Sequence, residues 1–185
     1  MKLLHIIPRF IGGGPERHLL ALAEAWRTAG LQTRQRILVL DPPASAPLLI
    51  KARRLGIELL IAPELPAIRH AIAEADIVEV EFWNHPRLHD LLRQELAPAR
   101  WIIRSAVAGT TAPQVLTEGI GTVADVMILS TDASLQTPAV CEARARNCRI
   151  ESIPALADMK RLEGLTASPH LGIRVGYLGL VEPTK

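Results

Sequence analysis

Aromatic residues make up only 3% of this 185-residue chain, which argues against the aromatic-rich core of a β-sandwich. Cysteine is nearly absent. Cys141 and Cys148 lie seven apart in a helical pattern, two turns apart along one face and too far from each other for a disulfide of ordinary geometry. No second pair completes a zinc site, so both are expected as reduced, partly buried thiols of a reducing cytosol. No apolar run approaches the ~20 residues of a membrane span. The opening MKLLHIIPRF is too short for a signal peptide and has no small-residue cleavage site, so a cytoplasmic location is expected. Neither sign of charge dominates. Lys and Arg number 21 against 19 Asp and Glu, for a net charge of +2, which gives no argument for a nucleic-acid partner.

What is abundant is aliphatic. Hydrophobic residues reach 49%, so the core must be built from Leu, Ile, Val and Ala, the composition of a buried parallel sheet. Short apolar runs alternate with helical patterns. Strands are expected at residues 2–7, 36–40, 58–61, 76–82, 101–104, 125–129 and 149–153. Helices are expected at 15–28, with Leu19, Leu20, Leu22, Ala23 and Trp26 inward, and at 47–55, 67–75 and 86–96. A further helix after residue 129 has Ser130 or Asp132 as its cap; residues 106–113 (AVAGTTAP) read as a loop, and 114–123 carry no clear pattern. Strand–helix alternation at this spacing predicts an α/β, Rossmann-like doubly wound parallel sheet. Residues 1–165 are expected to form this domain. Residues 166–185 would supply a linker (LTASPHLG) and the first strand, 173–178, of another domain.

The first strand runs into IIPRFIGGGPERHLL. Glycine clusters at a strand-to-helix turn suit close approach of an anion to backbone N–H groups at the positive end of a helix. The order is neither G-x-G-x-x-G nor G-x-x-x-x-G-K-[ST], so the dinucleotide and P-loop fingerprints both fail. A turn whose glycines merely allow a tight reversal is the alternative.

KLLHIIPRFIGGGPERHLLALAEAWRTAG resembles the opening of retaining GT-B glycosyltransferases of the family 4, or group 1, type. ADIVEVEF, ADVMILSTDA, RIESIPALAD and IRVGYLGLVEPTK resemble later segments of that family in the same order. The resemblance implies the N-terminal, acceptor-side lobe of a GT-B enzyme that uses a nucleotide-sugar as co-substrate, with no metal and no bound cofactor. It implies that Gly12, Gly13 and Gly14 contact the donor diphosphate or the acceptor, and that Lys185 matches a donor-phosphate lysine. Leu180 stands where the family places an Arg. Ala106 and Ala108 lie where it often places a His, and Ala155 and Leu156 replace its usual Asn and Gly.

Further candidates sit after strand ends, where open α/β sheets bind ligands. Trp83 would stack on a sugar ring with Asn84 and His85 as polar partners, against a packing role for Trp83 and a capping role for His85. Arg17 would reach an anion or remain a solvated surface residue, and Glu16 would favour the helix N-terminus. Thr110 and Thr111 would offer hydroxyls to sugar or phosphate. Ser130 would do the same or act as an N-cap. His5 is expected as a satisfied core histidine. The basic run 51–54 would touch a lipid surface as a peripheral membrane contact, or form a solvated face. No catalytic residue is assigned.

The expected function is glycan biosynthesis: sugar transfer from a nucleotide-sugar to a glycan or lipid acceptor, with the chain inactive by itself. The rival readings are a degenerate GT-B-like binding or assembly module without catalysis and, third, an epimerase-like or nucleotide-binding enzyme of the same architecture.

Overall fold

The computed structural model describes residues 1–42, 44–154, 164, 166 and 172. The strand expected at 173–178, Leu180, Lys185 and the positions of Ala155 and Leu156 lie outside the described residues. Seven strands form one sheet: β1 Lys2–Ile7, β2 Arg34–Val39, β3 Glu58–Ile61, β4 Ile77–Phe82, β5 Arg100–Ser105, β6 Val126–Leu129 and β7 Arg149–Ser152. Their order is β3-β2-β1-β4-β5-β6-β7, and every pairing is parallel. This is a Rossmann-like doubly wound sheet. From β1 the chain steps outward through β2 to β3, returns to pair β4 with the other side of β1, then steps the opposite way to β7. The switch point therefore lies between β1 and β4.

Handedness then assigns the helices to faces, because each parallel crossover is right-handed. The helices are α1 Gly14–Thr28, α2 Ala46–Arg54, α3 Leu65–Ala73, α4 Pro86–Leu92, α5 Ile120–Val123 and α6 Pro138–Ala145. The apolar clusters agree. Leu19, Leu20 and Ala23 of α1 and Ala52 of α2 pack with Ile7, Ile37 and Val39 on one face. Ile72 of α3, Leu88 of α4, Ile120 of α5 and Val140 of α6 pack with Ile6, Val80, Ile103 and Met127 on the other. Leu22 and Trp26, expected inward, are only half-buried.

Local chemistry explains the α1 boundaries. Pro15 opens the helix where its missing N–H costs nothing. At the other end Gly30 has φ +70, its N–H reaches Arg27 O, and Leu31 N–H reaches Trp26 O, a Schellman closure. Sequence periodicity overran α4, which stops at Leu92 rather than residue 96. Gln94 N–H turns back to Leu91 O, while Leu96 and Ala97 still pack against the core without helical backbone. The unpatterned stretch hides α5, too short to show a period and started by Gly119 at φ +88.

The helix expected after β6 is split into a 3₁₀ turn, Asp132–Gln136, and α6, which Pro138 opens. Neither Ser130 nor Asp132 caps it. Thr131 Oγ1 accepts the Ala133 N–H, and Asp132 accepts from Ser152 Oγ at 2.7 Å. The cysteines also differ from expectation. Cys141 lies on α6 and is exposed, whereas Cys148 lies past the end of α6 and is half-buried. Both are free thiols, as expected.

Gly121 fixes how closely α5 meets α6. A Cβ there would stand 2.5 Å from Ala139 O and 3.0 Å from Ala143 N, both backbone atoms that cannot swing aside. Gly121→Ala is therefore expected to cost about 1–3 kcal/mol through overpacking. Thermal unfolding followed by circular dichroism would read this as a lowered Tm, and an unchanged Tm would refute the close approach.

Candidate functional site

The carboxyl ends of β1 and β4 flank the switch point, the place where open α/β sheets form a ligand crevice. After β1 the chain is pinned before it becomes irregular. Phe10 is fully buried, it bridges Ala44, and its carbonyl accepts the Ser45 N–H at 2.7 Å. The glycine loop begins immediately afterwards, and its three glycines serve different needs. Gly12 adopts φ +113, which other residues avoid. A Cβ at Gly13 would come 2.9 Å from Glu16 Oε2, so this glycine makes room for a side chain of the protein itself. Gly14 has no atom within 4 Å of where a Cβ would sit and faces open space.

Glu16 organises the loop. It is buried, and its Oε1 accepts the Ile11 N–H at 3.0 Å across the turn. It makes no helix-capping bond, since α1 has no side-chain cap at all. Its place near the helix N-terminus suits the dipole, but the bond it makes fastens the loop. Arg17 is exposed and donates from Nε to Gly12 O at 3.2 Å, so the loop is held from both sides.

Across the crevice, the segment after β4 divides in its roles. Trp83 is 40% exposed and free to stack. Asn84 is committed to structure: its N–H donates to Gln114 Oε1, its Nδ2 to Pro113 O, and its Oδ1 faces His89 Nε2 at 2.7 Å. These bonds fix the loop after β5, leaving Asn84 a scaffold residue. Burial and the nearby Arg93 charge lower the His89 pKa. His85 stands at the start of α4 without capping it, and its Nε2 lies 3.5 Å from Asp41 Oδ2. Its buried Nδ1 has no hydrogen bond among the described residues.

Asp41 is the residue that sequence reasoning missed. It was visible only as part of a strand-ending Asp-Pro-Pro, with nothing to show that β2 ends within reach of β4's continuation across β1. It gathers His85, Arg87 Nη1 at 3.4 Å and Arg9 Nη2 at 3.7 Å. Arg87 also donates to Leu40 O at 2.5 Å, which anchors it. A carboxylate, an imidazole and two guanidiniums thus share the edge with the glycine loop. Such a set can orient a hydroxyl, relay a proton or neutralise an anion.

The remaining candidates lie farther along the same edge in strand order. Thr110 and Thr111 are exposed in the loop after β5. Ser130 follows β6, and its buried Oγ has no hydrogen bond among the described residues. The basic run 51–54 is displaced from the crevice. Its Lys51, Arg53 and Arg54 occupy the last turn of α2, which ends at the opposite edge of the sheet, with Lys51 3.7 Å from Glu24.

Below the crevice, on the α1 face, lies a set of buried charges. His5 Nδ1 is 3.2 Å from Glu79 Oε2, off the line of a hydrogen bond, and Arg104 Nε is 2.6 Å from Glu79 Oε1 and 3.5 Å from Glu81 Oε1. His5 is therefore a member of a charge cluster, with its Nε2 lacking a hydrogen bond among the described residues. Burial would raise the Glu79 pKa, but His5 and Arg104 outweigh it and hold the carboxyl down at about 2. Glu81 goes the other way. Burial first, then the neighbouring Glu79 charge, push it up to about 8 against the pull of Arg104.

No protein-family model matches the chain, and no curated protein aligns with it. Among the described residues, no group of three or more His, Cys, Asp or Glu side chains is placed to hold a metal ion. No described helix is long and apolar enough to cross a membrane.

Proposed function

We propose that the chain is the acceptor-side lobe of a GT-B glycosyltransferase that moves a sugar from a nucleotide-sugar to a glycan or lipid acceptor. The observation that carries this reading is the glycine loop at the β1–β4 switch point, with Gly14 open and the Asp41–His85–Arg87 group on the same edge. The segment resemblances described above supply the reaction class. In this reading Gly14 and the start of α1 receive phosphate or acceptor, Trp83 stacks on a sugar ring, and His85 with Asp41 handles a hydroxyl proton. The donor nucleotide is gripped by a second lobe, in which Lys185 would hold a phosphate. Small residues at Ala106 and Ala108, where the resemblance leads one to expect an imidazole, favour the second reading: a GT-B-like binding module that retains the crevice without turnover.

A panel of UDP-, GDP- and ADP-sugars tested by calorimetry, and then for sugar transfer, separates the two readings. With the donor lobe joined, the first predicts transfer, while the isolated 185-residue chain is expected to show negligible turnover. Binding without transfer in the joined protein favours the binding module, and neither binding nor transfer refutes both. Gly14→Leu sharpens the test. Because the site is open, the substitution is expected to change stability by no more than about 0.5 kcal/mol. It should nevertheless weaken binding or transfer about tenfold or more by filling the ligand's place. Unchanged affinity in a folded Gly14→Leu protein would remove the loop from the site.

A further inference from the structure

Three basic side chains from two strand ends gather on one carboxylate at the crevice. Arg9 follows β1, His85 and Arg87 follow β4, and the carboxylate is Asp41, after β2. The backbone beneath them is tied together. Leu40 N–H donates to Ile7 O at 3.0 Å, Asp41 N–H to Pro8 O at 2.9 Å, and Arg87 Nη1 to Leu40 O at 2.5 Å. The pairs with Asp41 are nevertheless loose. They run from 3.4 to 3.7 Å, beyond the ~2.7–2.9 Å of charge-assisted hydrogen bonds. Both guanidiniums are 56% exposed, and ion pairs of this kind add little stability. No other carboxylate pairs with either arginine among the described residues, so two cations share one anion. The opposite end of β2 shows what a balanced cluster looks like here. Arg34 and Arg36 meet two carboxylates there, Glu58 and Glu74, at 2.6–3.2 Å.

We infer that Arg9 and Arg87 form a clamp for a phosphate monoester, so that the acceptor of the proposed reaction is a phosphorylated molecule. The inference rests on reading this edge as the acceptor crevice, but not on turnover. Asp41 itself shows that both arginines reach a single small oxyanion, Arg87 at Oδ1 and Arg9 at Oδ2. Its loose contacts leave most of their N–H donors unspent, and the excess positive charge draws a second anion to the exposed side. The number of acceptors then selects the group. Each guanidinium presents a planar fork that matches phosphate oxygens in pairs. Two forks arriving from different strands need more than two oxygens; a phosphoryl group presents three and a carboxylate only two. Asp41 is a positioning residue in this arrangement, keeping the two forks side by side before the ligand arrives.

Calorimetry on the 185-residue chain at low salt tests this, with glycerol 3-phosphate, inorganic phosphate, glycerate and glycerol as probes. Glycerol 3-phosphate is expected to bind with a Kd of about 1 mM or tighter, inorganic phosphate no more tightly, glycerate at least about threefold more weakly and glycerol not at all. Arg9→Gln and Arg87→Gln should each weaken the monoester at least about tenfold, as loss of a charged donor to an anion does. Arg54→Gln removes the same charge from the last turn of α2, away from the crevice, and should change the Kd less than about twofold. The inference is overturned if glycerol 3-phosphate fails to bind at about 10 mM, if glycerate matches it, or if Arg54→Gln costs as much as the crevice variants. Tighter binding of inorganic phosphate than of the monoester would also overturn it, by making this a free-ion site. Arg87 also holds Leu40 O, so if Arg87→Gln does not fold, Arg9→Gln alone decides. The two proposals fail separately. Absence of monoester binding leaves sugar transfer to an uncharged acceptor standing, whereas monoester binding without transfer in the joined protein leaves the clamp standing.

Discussion

Replacing Arg104 with leucine is expected to destabilise the fold by roughly 3–5 kcal/mol, the range found when one partner of a buried ion pair is removed. Arg104 lies near the carboxyl end of β5, 8% exposed, between the two glutamates of β4. Its Nε is the nearest cation to both Glu79 and Glu81. Without it, Glu79 keeps only His5, and no guanidinium stands between Glu79 and Glu81. Leucine covers the apolar part of the gap but supplies no donor. Urea unfolding should show a lower midpoint with an unchanged slope. The double variant Arg104→Leu with Glu79→Gln should recover part of the loss, because the orphaned charge is removed as well. A single variant within about 0.5 kcal/mol of wild type would mean that the guanidinium does not hold the cluster together.

Much of the architecture was legible because parallel sheets announce themselves. KLLHII, ELLI and the run from residue 77 to 82 are bounded by turns and separated by helices, and the observed strands β1, β3 and β4 fall within a residue of expectation. Strand order was not legible in the elements themselves and comes from the observed pairings. The charge cluster did not announce itself. In DIVEVEF the glutamates alternate with Val78, Val80 and Phe82, a pattern that normally marks a strand with one wet face. Here the supposedly wet face is dry: Glu79 and Glu81 are both buried, and Arg104 answers from a strand 25 residues away. Periodicity reports which residues share a face, and only the tertiary partner decides what covers it.

The site shows the same division. The glycine loop was visible as a loop, but sequence could not say which glycine served which purpose. Gly13 turned out to accommodate Glu16, Gly12 to supply a backbone angle, and only Gly14 to leave room above the loop. His85 was a candidate without a carboxylate, and Asp41 was a carboxylate read as a turn residue. Their meeting needs β2 and β4 to flank β1, a fact of sheet order rather than of local pattern.

The buried acids also set how stability depends on pH, and the two glutamates act in opposite senses. Glu79 has a folded pKa of about 2, below its ordinary 4.5. Its contribution is present above pH 4.5 and lost as pH falls toward 2. Glu81 has a folded pKa of about 8, above 4.5, so its contribution is complete below pH 4.5 and lost as pH rises to 8. Across that window the unfolded chain has released a proton that the native protein still holds, and stability falls by up to about 1.4 kcal/mol per pH unit from this one group. Above the window the loss levels off, since both states are then ionised. The expected result is a stability difference between Glu81→Gln and wild type that widens steadily from mildly acid to mildly alkaline pH, because glutamine removes the proton and its linkage together. Urea unfolding at a series of pH values measures that difference directly. A constant offset between the two proteins would show that Glu81 is ionised in the fold at neutral pH, and that Arg104 serves both glutamates after all.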